Sequence, residues 1–406
     1  MEAGHLLAAL ALLFIGYGVF SRPLGATIAP APLIFALAGL ALAYAGLVDF
    51  TINPGSEILL LFAECTLALV LFGDASRLSF RKVIGMNIIA QRMLLFGLPL
   101  AILFGTLAAL GLFPRMFWME AALLAAMLAP TDAALGAAVV ENENVPLRIR
   151  RAIVTESGLN DGLAVPFVLL FAALAGYVEL GTQGDWNFWL RFAAQQIGFG
   201  LVAGIAVGLA GGFAIVWSAR ANWLDPRFET LACIGVAAGS FLAAEAIGGN
   251  AFVSAFVAGL SFAAICEERT GMVAEFVEQE GKFFSLTLFF VFGLGLAPMV
   301  IAEFEWVYLI YALLSLTVVR MGAVALSLIG TGLRLPTIAY LGWFGPRGLA
   351  TLVFVLLVFG EGITSEPIRA TACLAILLSI VLHGITAAPF AARYAHSKAA
   401  KADGKE

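Results

Sequence analysis

The stretch TESGLNDGLAVP (155–166) holds Glu156, Ser157, Asn160 and Asp161 inside a long apolar run. Ionised side chains at such a depth cost several kcal/mol each unless partnered, so they mark a site rather than a surface. On a helix, residues four apart share a face. Glu156 therefore sits with Asn160, and Ser157 sits with Asp161 on the adjacent strip. Asp161 and Ser157 form an all-oxygen pair suited to a small hard cation. Oxygens of Thr131 are placed to add to that set, so the candidate metal ligands are Asp161, Ser157 and Thr131. Glu156 with Asn160 reads instead as an anion held by a cation from another helix, either Arg320 or Arg347.

Other ionisable groups fall within apolar runs: Glu64, Asp132, Arg320 and Arg347, with Glu245 near a run's end. Asp161 lies ten residues beyond Arg151, or about 15 Å at 1.5 Å per residue, half of a roughly 30 Å hydrocarbon core. Glu64, Asp132, Arg320 and Arg347 fall at similar depth. More acids than arginines share that plane, which favours cations over anions. Scattered interhelical ion pairs are the plainer reading, but so much charge at one depth points to a transport site.

These residues need helices to carry them. Of the 406 residues, 62% are hydrophobic and 12% charged, far from the roughly 25% charged of soluble domains. The fold class is an all-α polytopic membrane protein. Thirteen spans are expected, at 4–20, 30–47, 57–73, 88–113, 117–139, 149–176, 188–217, 227–246, 249–266, 283–301, 306–330, 335–359 and 366–391. The start, MEAGHLLAALALLF, reads as the first span rather than a leader, having no basic region. Alternating spans put 17 of the 22 Lys and Arg on one side. Arg77, Arg81, Lys82, Arg148, Arg150, Arg151, Arg220, Arg227, Arg393, Lys398, Lys401 and Lys405 are among them. Arg115, Arg191 and Arg369 fall opposite. Basic loops are cytoplasmic, so the N-terminus is expected outside and the C-terminus in the cytoplasm of a cell (plasma or inner) membrane.

Two spans carry breaks. LLAAMLAPTDAALGAA holds Pro130 beside Thr131 and Asp132, and YLGWFGPRGLATLVF holds Gly345, Pro346 and Gly348 around Arg347. Proline removes a helix hydrogen bond and disfavours helix just before it. Broken spans expose carbonyls and oriented helix ends at mid-membrane. As the fifth and twelfth of thirteen, they match in two six-helix halves, about 1–176 and 227–392, joined by a linking helix at 188–217. Residues 1–392 form one transmembrane domain, and 393–406 a short, polar, loose cytoplasmic tail.

Other chemistry is poorly supplied. Cys65, Cys233, Cys266 and Cys373 lack metal-ligand spacing, and His5, His383 and His396 argue against a His-ligated metal enzyme. No basic patch suggests nucleic acid. The acidic 267–282 stretch (Glu267, Glu268, Glu275, Glu278, Glu280) reads as a solvated loop. An intramembrane aspartyl protease using Asp132 and Asp161 is disfavoured by the neighbouring arginines, so no enzyme is expected. A carrier for an organic solute would need a more polar cavity.

APTDAALGAA (129–138) followed by TESGLNDGLAVP resembles the monovalent cation–proton antiporters of the NhaP and sodium–proton exchanger branch. GGNAFVSAFVAGLSF (248–262), GKFFSLTLFFVFGLGL (281–296), VVRMG (318–322) and FGPRGLATL (344–352) extend the resemblance over nearly the whole chain. It implies two inverted repeats with crossed, interrupted helices, and a homodimer in the lipid bilayer. Asp161 would bind cation and proton in turn, with Thr131, Ser157 and Glu64 helping to ligate the cation. Asp74 is the alternative acid to Glu64. Asp132, Glu156, Asn160, Arg320 and Arg347 would organise the site. The activity implied is proton exchange for Na+, or else Li+ or K+, by alternating access. With Asn160 unable to titrate, exchange would be electroneutral, one for one. No cofactor is expected beyond the transported ions.

Overall fold

The computed structural model describes residues 2–25, 30–46, 56–77, 87–132, 135, 139, 142–179, 186–266, 270–360, 362–363 and 365–403. Apolar runs of this length, with few prolines, satisfy their backbone groups only as helices in lipid. They form α1 (Glu2–Val19), α2 (Ala31–Tyr44), α3 (Glu57–Ser76), α4 (Ile88–Leu112), α5 (Trp118–Met127), α6 (Leu147–Glu179), α7 (Trp186–Arg220), α8 (Pro226–Ala246) and α9 (Ala251–Ile265). Then follow α10 (Thr270–Val291, continuing through a π turn to Ala302), α11 (Trp306–Ser327), α12 (Leu335–Trp343), α13 (Leu349–Gly360), α14 (Glu366–Ala395) and α15 (Lys398–Asp403). Among the described residues, 8 helices are long and apolar enough to span a bilayer. Five shorter apolar helices (within α1, α2, α5, α9 and α13) fall in the other runs where spans are expected.

Both anticipated breaks are present. The helix of the fifth run stops at Met127, and residues 128–132 are irregular. The twelfth splits into α12 and α13 around 344–348. Three π turns, Met93–Gly97, Phe292–Leu296 and Ser315–Val319, were not foreseen. The third delivers the chain directly into Arg320, and a π turn re-aims the side chains that follow it.

The chain divides into two compact units, and α3, α6 and α10 each contribute to both. The first contains residues 1–60, 87–160 and 285–406. Within it α2 lies against the π turn of α10, where a Cβ on Gly39 or Gly293 would strike the opposing backbone. The second contains residues 61–86 and 161–284. There Gly200, Gly204 and Gly208 on α7 form a stripe over which the backbone of Asn250–Ala258 passes closely, the small-residue packing that brings helices together in lipid. Leu69, Phe72, Cys233, Val236 and Phe262 fill the adjacent core.

Two sequence expectations change. The tail as far as Asp403 is helical rather than loose: α14 continues to Ala395, and α15 places Asp403, 8% exposed, where it accepts hydrogen bonds from the Arg334 N–H at 2.9 Å and the Thr337 hydroxyl at 2.6 Å. From Thr270 onward the acidic stretch is the first part of α10, not a loop. Residues 78–86, 267–269 and 404–406 lie outside the described residues, so Arg81, Lys82, Glu267, Glu268 and Lys405 do too; so do the side chains of Glu275, Glu278 and Lys401.

Candidate functional site

In the first unit, Thr131 from the fifth-span break meets Glu156, Ser157 and Asn160 from α6 and Arg320 from α11, all at most 3% exposed. The Arg320 Nη1 and Nη2 donate to Glu156 Oε1 and Oε2 at 2.8 and 3.0 Å, a two-pronged ion pair. Of the two arginines the sequence left open, Arg320 is the partner of Glu156. Asn160 Nδ2 donates to Glu156 Oε1 at 3.1 Å and to Thr131 Oγ1 at 2.6 Å. The Thr131 N–H donates to Asn160 Oδ1 at 3.3 Å. Asn160 thus ties α6 to the break through its carbonyl and one amide hydrogen, and steadies Glu156 on its own helix with the other. Thr131 Oγ1 also reaches Glu156 Oε2 at 3.3 Å and Ser157 Oγ at 3.0 Å. Each Glu156 oxygen therefore faces a guanidinium nitrogen and a neutral donor. This is the condition under which a buried ion pair recovers its desolvation cost.

Arg347 does a different job. Its Nη1 donates to the carbonyls of Ala129 and Pro130, both at 2.9 Å. Those carbonyls lie in the break after α5, and a cation beside a helix C-terminal end is favoured by the dipole. The Thr351 hydroxyl donates to the carbonyl of Met127 at 2.9 Å. In return, Asp132 Oδ2 accepts the N–H of Leu349, the first residue of α13, at 3.2 Å, and the Asp132 N–H donates to the carbonyl of Pro346 at 2.8 Å. Each break thus supplies the charged cap for the other's exposed helix end. Glycine makes the approach possible. A Cβ at 348 would fall on the Asp132 carboxylate, and one at 345 would meet both the Arg320 guanidinium and the Thr131 methyl.

Asp161 is the next residue of α6 after Asn160, one turn beyond Ser157, and is 8% exposed. It belongs to the second unit, where the Phe256 ring packs against neighbouring Gly162. Glu64 and Asp74 are half-buried on α3, also in the second unit. Glu245 is exposed near the end of α8. The first unit's cluster thus joins Thr131 to Glu156, Ser157, Asn160 and Arg320, and beside it Asp132 binds the backbone of Pro346 and Leu349 while Arg347 binds the carbonyls of Ala129 and Pro130. Within the first unit, Ser157 Oγ and Thr131 Oγ1 are neutral oxygens 3.0 Å apart. Thr131 Oγ1 already serves Asn160, Ser157 and Glu156, which makes it a poorer free ligand than its type suggests.

Sequence reasoning missed Thr351, Ser379 and His383. Ser379 accepts the Arg347 N–H at 2.6 Å, and His383 lies beside it. The signal was there: Ser379, His383 and Thr386 fall on one face of an otherwise apolar helix.

The profile described as "Sodium/hydrogen exchanger, transmembrane" matches residues 9–393. A K(+)/H(+) antiporter NhaP of Alkalimonas amylolytica is 23% identical over 366 residues, which are 89% of this chain and 62% of that protein. A Na(+)/H(+) antiporter NhaG of Bacillus atrophaeus is 26% identical, covering 66% of this chain and 52% of its own length. The Na(+)/H(+) antiporter NhaP of Pseudomonas aeruginosa is 25% identical, covering 72% and 71%. The chain thus spans less than two thirds of the length of several curated relatives it matches. The structure of the sodium proton antiporter MjNhaP1 from Methanocaldococcus jannaschii at pH 8 superposes with a TM-score of 0.77 at 18% identity, covering 98% of this chain and 100% of that one. That likeness establishes a shared fold, and the profile match establishes the family. The chain belongs to the transmembrane sodium/hydrogen exchanger family.

Proposed function

We propose that the protein is a secondary active antiporter that exchanges protons for a monovalent cation, with Asp161 binding the two in turn. The observation that carries this reading is the Glu156–Arg320 pair. It balances its own charge around Thr131 and Ser157, at a helix break, one turn before Asp161 on the same helix. Family membership and the names of the relatives, which include both Na(+)/H(+) and K(+)/H(+) antiporters, support the same reading.

The coupling follows from electrostatics. A bare carboxylate at mid-membrane is costly. A proton removes its charge, and a bound cation balances it. The neutral forms move between inward-facing and outward-facing arrangements, and the bare anion moves badly. One carboxylate shared by two ligands couples their fluxes without ATP. Asn160 carries no charge, so one proton exchanges for one cation and the cycle is electroneutral. Na+ is the first candidate, Li+ and K+ the next. Ser157 and Thr131 are the neutral oxygen ligands in this reading, Glu64 is the further acid proposed to help, and the remaining site residues hold the frame. The unit at work is a homodimer in the plasma membrane, its C-terminus cytoplasmic, as the one-sided distribution of Lys and Arg supports.

The test is a proteoliposome with an internal pH dye, given Na+, K+ and Li+ in turn. Wild type should move protons on cation addition, with a rate indifferent to an imposed membrane potential, and Asp161→Asn should move none. A folded wild type silent to all three ions overturns antiport. A rate that follows the potential overturns one-for-one exchange.

A further inference from the structure

We propose that Ser379 and His383 are positioning residues that hold the α12–α13 break, with His383 neutral and its proton on Nε2. The inference concerns the frame around the site and rests on the antiport reading only in its transport arm.

α14 is apolar over most of its length, yet Ser379, His383 and Thr386 follow one another at four and three residues, on one face. All three address the break. Ser379 Oγ accepts the N–H of Arg347 at 2.6 Å. His383 Nε2 lies 3.0 Å from the carbonyl of Trp343, the last residue of α12. The Trp343 indole N–H donates to Thr386 Oγ1 at 2.9 Å. The strip therefore grips the backbone on both sides of residues 344–346.

Hydrogen accounting fixes the imidazole. A carbonyl only accepts, so Nε2 facing Trp343 must carry a hydrogen. Ser379 Oγ accepts from Arg347, which leaves its own hydrogen to donate, and His383 Nδ1 receives it at 3.2 Å. The chain runs from the Arg347 N–H through the Ser379 hydroxyl to Nδ1, and from Nε2–H to Trp343. The competing assignment is an imidazolium, whose Nδ1–H would donate to the Ser379 carbonyl at 3.0 Å. Ser379 is 0% and His383 1% exposed, and a buried charge without a counter-ion is strongly disfavoured. The consequence reaches the site through Arg347, whose guanidinium caps Ala129 and Pro130 next to Thr131. His383 touches no transported ion. It sets where Arg347 starts, and so how the two breaks cap each other as the helices move.

The experiment exploits the three histidines of the chain. In a His5→Gln, His396→Gln background, His383 is the one histidine left for ¹⁵N labelling and solid-state NMR in lipid. One bare and one protonated ring nitrogen, the proton on Nε2, is the expected spectrum. Two protonated nitrogens, or a proton on Nδ1, overturn the assignment. In transport, His383→Leu should slow turnover by about tenfold or more with the cation KM little changed, and His383→Gln, which keeps a donor for Trp343, should recover most of it. Ser379→Ala added to His383→Leu should cost little more than the slower single change. Leu and Gln variants both as fast as wild type, or fully additive effects, overturn the positioning role. If His383→Leu fails to fold, the spectrum of the otherwise native protein still decides. A wild type that transports no cation defeats the antiport reading and leaves the spectrum standing.

Discussion

At the scale of single residues, the decisive object is Glu156. Its two oxygens face Arg320, Asn160 and Thr131. Removing one partner strands a buried charge, at a cost of about 3–5 kcal/mol, whereas removing both together costs much less. Arg320→Met should therefore lower the thermal unfolding temperature sharply in detergent. The double variant Glu156→Leu, Arg320→Met should regain much of the loss, because the pair is coupled. Simple addition of the two losses would contradict the assigned ion pair. Much at this scale was legible in sequence, because a mid-membrane charge must find an opposite one. Which arginine served Glu156 was not legible, since both lie at the same depth in different spans. The choice depends on the π turn before Arg320 and on the space left by Gly345. Ser379 and His383 escaped notice because a serine and a histidine in an apolar run carry no obligatory charge to balance.

At the scale of elements, the crossing depends on backbone reaching backbone. Asp132 caps α13, Arg347 caps the carbonyls after α5, and no side chain fits between them at position 348. Gly348→Ala should push the Asp132 carboxylate off the Leu349 N–H and cost about 1–3 kcal/mol by overpacking. Transport should fall by an order of magnitude or more, while helix content by circular dichroism stays the same. Gly111→Ala, where an added Cβ meets nothing within 4 Å, should behave as wild type. Equal behaviour of the two variants would show that the crossing is looser than described. Pro130 and Pro346 announced both breaks in the sequence, through a lost hydrogen bond and a restricted preceding residue. The early end of α5 at Met127 was not announced, because LLAAM continues as helix-forming, apolar sequence. Nor were the π turns, which arise from packing and leave no compositional trace.

At the scale of the whole molecule, hydropathy was enough to find a helix in each apolar run, eight of them long and apolar enough to cross a bilayer among the described residues, because lipid imposes a length and a polarity on every crossing. It failed at the C-terminus. A polar, charged tail reads as solvated, yet Asp403 docks at the start of α12, far back along the chain, and takes the Arg334 N–H and Thr337 hydroxyl. Only a long-range contact makes that segment ordered. Asp403→Ala should cost about 1 kcal/mol, as a lost helix cap does, and should speed hydrogen exchange in the first turn of α12. Unchanged protection there would contradict the docking. The central claim for the molecule is that one carboxylate serves both ions. The most direct test is sodium counterflow into proteoliposomes held at the same pH on both sides, across a series of pH values. Competition predicts that, on the acid side of the carboxylate's titration, the sodium KM rises about tenfold for each unit the pH falls. The maximal rate should stay constant, and Asp161→Asn should show no counterflow. A KM indifferent to pH, with the maximal rate falling instead, would place proton and cation on separate groups and contradict the account.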